Sequence, residues 1–154
     1  MDSNMNRLDS CGLGVAPKAV VRQKELAAVK PIILVAEDSE DGREMLEMML
    51  RLKGYDVVVA ADGLQAVELA LTKVPDLILL DLELPQLNGL AVTKNLRRHP
   101  KLKAVPIIVI SGHDPQQCSQ LALDSGCNDY LCKPIDFEEL EKILVASVPL
   151  NKSR

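Results

Sequence analysis

Residues 31–41, Pro31-Ile32-Ile33-Leu34-Val35-Ala36-Glu37-Asp38-Ser39-Glu40-Asp41, decide the fold. Five consecutive apolar residues follow a proline and stop at two carboxylates. A run so short, with no polar alternation, fits a strand buried on both faces, as in parallel sheets. Ser39 ahead of Glu40-Asp41 then reads as the N-cap of a helix. Further along, strand-like runs begin near residues 56, 77, 106 and 129, at intervals of 24, 21, 29 and 23 counted from residue 32. Each interval holds one strand and one crossover helix. Helical spacing appears where the crossovers fall: Val67, Ala70, Leu71 and Val74 share one face, as do Phe137, Leu140, Ile143/Leu144 and Ser147. Asp114 before Pro115, and Asp136 with Glu139 three residues on, supply further helix starts. This alternation predicts an α/β fold: a flavodoxin-like, doubly wound (βα)5 domain whose five-stranded parallel sheet has the order 2-1-3-4-5.

Composition narrows the function. The chain has 154 residues, a net charge of −4, and three aromatic residues, Tyr55, Tyr130 and Phe137, with no tryptophan. Single-stranded nucleic acid needs stacking platforms and a cationic track for its phosphates, and both are lacking. The core must be aliphatic. No apolar run approaches the roughly 20 residues that span a bilayer. Asp2, Asp9 and Pro17-Lys18 interrupt any secretory leader, and no apolar segment precedes Cys11 as a lipoprotein site would require, so a cytoplasmic location is expected. Cys11, Cys118, Cys127 and Cys132 form no C-x-x-C pair, and neither His99 nor His113 lies at metal-ligand spacing from them. They read as reduced, inert apolar residues, with redox sensing by Cys127 and Cys132 the alternative.

Residues 1–30 carry a charge of +2 against −6 for the remainder. They read as an N-terminal extension, mobile in its first half, with a short helix over Lys18–Lys30 stopped by Pro31. The folded domain is expected over 31–148, with a tail over 149–154. Gly12-Leu13-Gly14 lacks the preceding strand and third glycine of a dinucleotide loop.

In a doubly wound sheet, ligands bind beyond the carboxyl ends of the strands. The first strand ends in Glu37-Asp38, the third in Asp81, the fourth in Ser111-Gly112 and the fifth in Lys133-Pro134. Three carboxylates converging on one edge repel one another unless a cation neutralises them. Oxygen-only donors select a hard ion, and Mg²⁺ held by one or two carboxylates with water and a phosphate oxygen is the expected form. Lys133 adds a mobile point charge suited to a phosphoryl group, and the Ser111 hydroxyl can donate to one of its oxygens. One carboxylate can serve as nucleophile, because aspartyl phosphate is an established covalent intermediate. Each residue alone is commonplace, a cap or a turn. Together they predict a phosphoryl-transfer site.

With these residues the sequence resembles the receiver domains of two-component response regulators, including the single-domain chemotaxis type, from about Ile32 to Val148. The signature is Glu37-Asp38, Asp81-Leu82-Glu83-Leu84-Pro85, Ser111-Gly112 and Tyr130-Leu131-Cys132-Lys133-Pro134, supported by Gly54-Tyr55, Ala61-Asp62-Gly63 and Asn88-Gly89. The resemblance implies that Asp81 is the phosphoacceptor for a sensor histidine kinase or phosphotransfer protein, with Ser111 and Lys133 assisting. It implies Mg²⁺ bound by Asp38, Asp81 and the Glu83 backbone carbonyl, with Glu37 acting through water. It further implies that Ser111 and Tyr130 form the switch, remodelling the face of the fourth helix, fifth strand and fifth helix. Glu83 and His113 then lie where family members tune phosphate lifetime. Such a domain signals and catalyses only its own phosphotransfer and dephosphorylation.

Only 21 residues follow Lys133, room for one helix and a short tail, so no DNA-binding module is expected. The output is then contact with an unidentified downstream protein, through a surface that includes Gln116, Gln117, Gln120, Asp124, Tyr130 and Cys132. A haloacid dehalogenase-type phosphatase would need a second Asp where Glu83 stands. A flavodoxin would find its phosphate repelled by Glu37-Asp38-Ser39-Glu40-Asp41.

Overall fold

The computed structural model describes residues 29–150, so the expectations for residues 1–28 and 151–154, including most of the helix expected over Lys18–Lys30, lie outside the described residues. Among the described residues, those from Pro31 onward form one compact unit. In it β1 (Ile32–Ala36), β2 (Asp56–Ala60), β3 (Leu77–Asp81), β4 (Ile107–Ser111) and β5 (Asp129–Cys132) alternate with α1 (Glu40–Leu52), α2 (Gly63–Lys73), α3 (Gly89–Arg97), α4 (Pro115–Asp124) and α5 (Phe137–Ser147), and a short 3-10 turn over Pro100–Leu102 precedes β4. All strand pairs are parallel, in the order β2-β1-β3-β4-β5. This is the expected doubly wound sheet.

The period of two along each strand divides the core. Leu34, Ile78, Leu80 and Val109 face α2, α3 and α4, meeting Ala66, Ala70, Val92, Leu96 and Ala122. Ile33, Val35, Leu79 and Ile108 face α1 and α5, meeting Leu46, Leu50, Leu140 and Leu144. Each fully buried Leu or Ile contributes about 1.5–3 kcal/mol of transfer free energy, so the aliphatic core suffices without stacked rings. Tyr55 is the buried ring, and its hydroxyl donates to the Val148 carbonyl at 3.0 Å.

Several local expectations are corrected. Val74 lies outside α2, caps it in the left-handed region at φ 45° and is 39% exposed. The buried centre of that helix is Ala66 and Ala70, with Val67 and Leu71 only partly covered. On α5, Leu140 and Leu144 carry the buried face while Phe137 and Ser147 are exposed. β4 begins at Ile107, one residue later than its apolar run, because Pro106 has no N–H to give the ladder. The inert-thiol reading fits buried Cys127; Cys118 is half-buried and Cys132 is exposed. No helix among the described residues is long and apolar enough to cross a membrane.

One glycine fixes the approach of two loops. A Cβ on Gly63 would lie 1.8 Å from the Leu87 carbonyl oxygen, so only glycine lets the start of α2 close on the loop after β3. Its own N–H donates to the Pro85 carbonyl at 3.0 Å.

Candidate functional site

The parallel register brings the expected residues to one edge. Ala36 pairs with Leu80, Leu80 with Val109, Asp81 with Ile110, and Ser111 with Cys132, so the residues after β1 and β5 and the last residues of β3 and β4 emerge side by side. Helix starts hold the connecting loops: Ser39, Asn88, Asp114 and Asp136 each accept an N–H from the first turn of the helix they cap, at 3.2, 3.0, 2.9 and 2.9 Å for the tightest bonds. Ser39, Asp114 and Asp136 were legible in the sequence as helix starts, whereas Asn88 entered only through the family resemblance.

Glu37, Asp38 and Asp81 each present a carboxylate oxygen, and these atoms all lie within 4.8 Å of one another. Glu37 and Asp81 are 6% and 4% exposed, whereas Asp38 is open to solvent. Lys133 Nζ donates to Glu37 Oε1 and to Asp81 Oδ2, both at 3.0 Å. Burial works against the Lys133 ammonium, but its bonds to Asp81 and Glu37 outweigh that and raise its pKa above the ordinary lysine value. The other Asp81 oxygen, Oδ1, accepts the Glu83 N–H at 2.9 Å. Three carboxylates against one ammonium leave net negative charge on a set of oxygen donors with no thiolate or imidazole, which suits a hard divalent cation.

Ser111 is 1% exposed, and its Oγ accepts the His113 N–H at 3.0 Å. The Tyr130 hydroxyl donates to the His113 carbonyl at 3.3 Å, and the His113 imidazole Nε2 contacts Glu83 Oε1. Burial pushes the Tyr130 phenol pKa up, and a hydrogen bond with Ser111 pulls it the other way. The predicted residues therefore fall into two linked groups: Glu37, Asp38, Asp81 and Lys133 at the carboxylate cluster, and Ser111, His113, Tyr130 and Glu83 beside it.

Sequence reasoning missed two contributors. Arg43 Nη1 donates to the Glu37 carbonyl at 3.0 Å, clasping the turn that aims Glu37 and Asp38; an arginine inside a helix carries no local sign of such a role. Phe137 lines a groove with Glu37, Ser39, Met45, Lys133 and Ile135, which puts a second ring, besides Tyr130, near the site. The Lys133–Pro134 peptide is cis.

Residues 33–145 match the response regulator receiver domain family. The chain belongs to that family. It is therefore a receiver domain of a two-component signalling system, a family characterised by phosphorylation and Mg²⁺. A relative is RpaA of Synechocystis, a DNA-binding dual master transcriptional regulator, 37% identical over 110 residues, covering 71% of this chain and 46% of RpaA. The receiver spans about half the length of the first curated relatives it matches. Among solved structures, the receiver domain of the sensor histidine kinase PA1611 from Pseudomonas aeruginosa, with Mg²⁺ coordinated in its active-site cleft, superposes with a TM-score of 0.72 at 38% identity, covering 77% of this chain and 98% of that one. The receiver domain of Ssk1, solved with the histidine phosphotransfer protein Ypd1 of Saccharomyces cerevisiae, gives 0.71 at 30% identity, covering 77% and 88%.

Proposed function

We propose that this receiver accepts a phosphoryl group on Asp81 from a phosphohistidine of a sensor kinase or phosphotransfer protein, and signals through the face made by α4, β5 and α5. The observation that carries this reading is the Asp81 carboxylate, buried at the end of the central strand with Lys133 on one oxygen and carboxylate oxygens of Glu37 and Asp38 within 4.8 Å. In the transfer, an Asp81 oxygen bonds to phosphorus as the phosphorus–nitrogen bond breaks, and the donor imidazole leaves with the electron pair. Lys133 is placed to follow the charge of the moving phosphoryl oxygens, and Ser111 to donate its hydroxyl to one of them. Asp38, Asp81 and the Glu83 backbone carbonyl would hold Mg²⁺, with Glu37 acting through water. The ion, when bound, neutralises charge on the phosphoryl oxygens. Positioning and electrostatics thus supply the rate, and no turnover of an outside substrate is required.

The output reading rests on the surface. Gln116, Gln117, Gln120 and Asp124 are exposed on α4, and Leu121 and Leu123 are exposed beside them. A phosphoryl group adds about −1.5 to −2 charge at neutral pH. Ser111 moving toward it would release the His113 N–H, and Tyr130 would repack against the altered loop. The downstream partner is then a protein that reads this face.

Incubation with Mg²⁺ and acetyl phosphate should add one phosphoryl group by intact mass, and the adduct should be absent in Asp81→Asn and in the presence of a chelator. No adduct from either a small donor or a kinase overturns the reading. Steady release of inorganic phosphate from many organophosphates would point to a hydrolase instead.

A further inference from the structure

His113 is bonded at once to β4, to β5 and to the loop after β3. Its N–H donates to Ser111 Oγ at the end of β4, its carbonyl accepts the Tyr130 hydroxyl from β5, and its imidazole meets Glu83, two residues beyond Asp81. It also directly precedes Asp114, the N-cap of α4. A movement of any one partner therefore changes the loop that opens α4.

We propose that His113 is a positioning residue that couples the Asp81 loop to Tyr130: its side-chain contact with Glu83 pins the loop after β4 so that the His113 carbonyl is presented to the Tyr130 hydroxyl. This rests on the reading of Tyr130 as the switch, but the contact exists without phosphate and can be tested without it. Glu83 and His113 are 65% and 51% exposed, and exposed pairs bias a conformational population by no more than about fivefold. The bridge is thus a bias on the switch, small enough for a phosphoryl group to override.

The scarcity of rings supplies the probe. With 3-fluorotyrosine incorporated, the whole chain holds two labelled sites, Tyr55 and Tyr130, and Tyr55→Phe assigns them by ¹⁹F NMR. In metal-free, unphosphorylated protein, Glu83→Ala should lower the population of His113-bonded Tyr130 by about two- to fivefold, moving its resonance toward that of solvent-exposed fluorotyrosine. The buried Tyr55 resonance should stay in place. His113→Ala should give the same displacement, the double variant no more than either, and Glu83→Gln, which still accepts from the imidazole, should restore the original position. If Glu83→Ala and His113→Ala both leave the Tyr130 resonance unmoved, the coupling is wrong. A displacement that Glu83→Gln fails to restore also overturns it, because charge rather than the side-chain contact would then move the ring. Neither outcome touches the phosphoacceptor reading, which fails only if no adduct forms on Asp81.

Discussion

Lys133 does the work of a counter-ion at the carboxylate cluster, and its removal separates two effects. A unit charge about 4 Å away at an effective dielectric of 20 is worth about 4 kcal/mol before solvent screening, and Lys133 is partly exposed, so the net influence is smaller. Lys133→Ala should therefore bind Mg²⁺ several-fold more tightly than the parent, read from thermal-shift or calorimetric titration, while accepting phosphate more slowly. Unchanged or weaker Mg²⁺ binding would mean that Lys133 does not compete for Glu37 and Asp81. The cysteines differ by burial in the same way. Burial pushes the Cys127 thiol from 9.0 up to about 11. The folded state keeps that thiol protonated where the unfolded chain ionises it, so its stabilising contribution is intact below pH 9 and lost as pH rises through 11. At pH 8, iodoacetamide should modify exposed Cys132 in the folded protein and spare Cys127 until the chain is denatured, as peptide mapping would show. Equal labelling of the two would contradict the burial of Cys127.

The elements are held by close approaches as much as by apolar faces. Gly63→Ala places a Cβ against the backbone oxygen of Leu87, which cannot rotate away, and should cost about 3 kcal/mol in urea unfolding. A loss below about 1 kcal/mol would show that the start of α2 can retreat. This contact had no signature in the sequence beyond an Asp62-Gly63 helix start, because it depends on a loop more than 20 residues away. Arg97 was equally hidden: its guanidinium donates to the carbonyls of Leu102, Val105 and Gly126 and to Asn128 Oδ1, tying the end of α3 to the starts of β4 and β5. Local apolar runs and caps, by contrast, were legible, since strands buried on both faces leave unbroken Ile, Leu and Val. Helix faces were read less well. The stripe through Val74 followed the hydrophobic signal, while the buried line of α2 is built on Ala66 and Ala70, small residues that let the helix sit close to the sheet and hardly register as hydrophobic. The site itself was legible because its residues stand at strand ends, where the fold alone converts sequence position into proximity. The bridge from Glu83 through His113 to Tyr130 was not, since it depends on side-chain directions across two loops and a strand.

At the scale of the whole molecule, two aliphatic half-cores grip a sheet whose carboxyl edge gathers the charged residues. The opposite surfaces of that sheet carry α1 and α5 on one side and α2, α3 and α4 on the other, so a change at the β3 and β4 ends reaches α4 through one short loop. On the proposed reading, chemistry and output are thus adjacent. Under that proposal, one buried carboxylate, Asp81, holds the phosphoryl group. Borohydride reduction of the acetyl phosphate-treated protein converts an aspartyl phosphate to homoserine, which peptide mass spectrometry locates by residue. Homoserine at position 81 and at no other acidic residue is the predicted result; homoserine at Asp38 or elsewhere, with Asp81 unmodified, would contradict it.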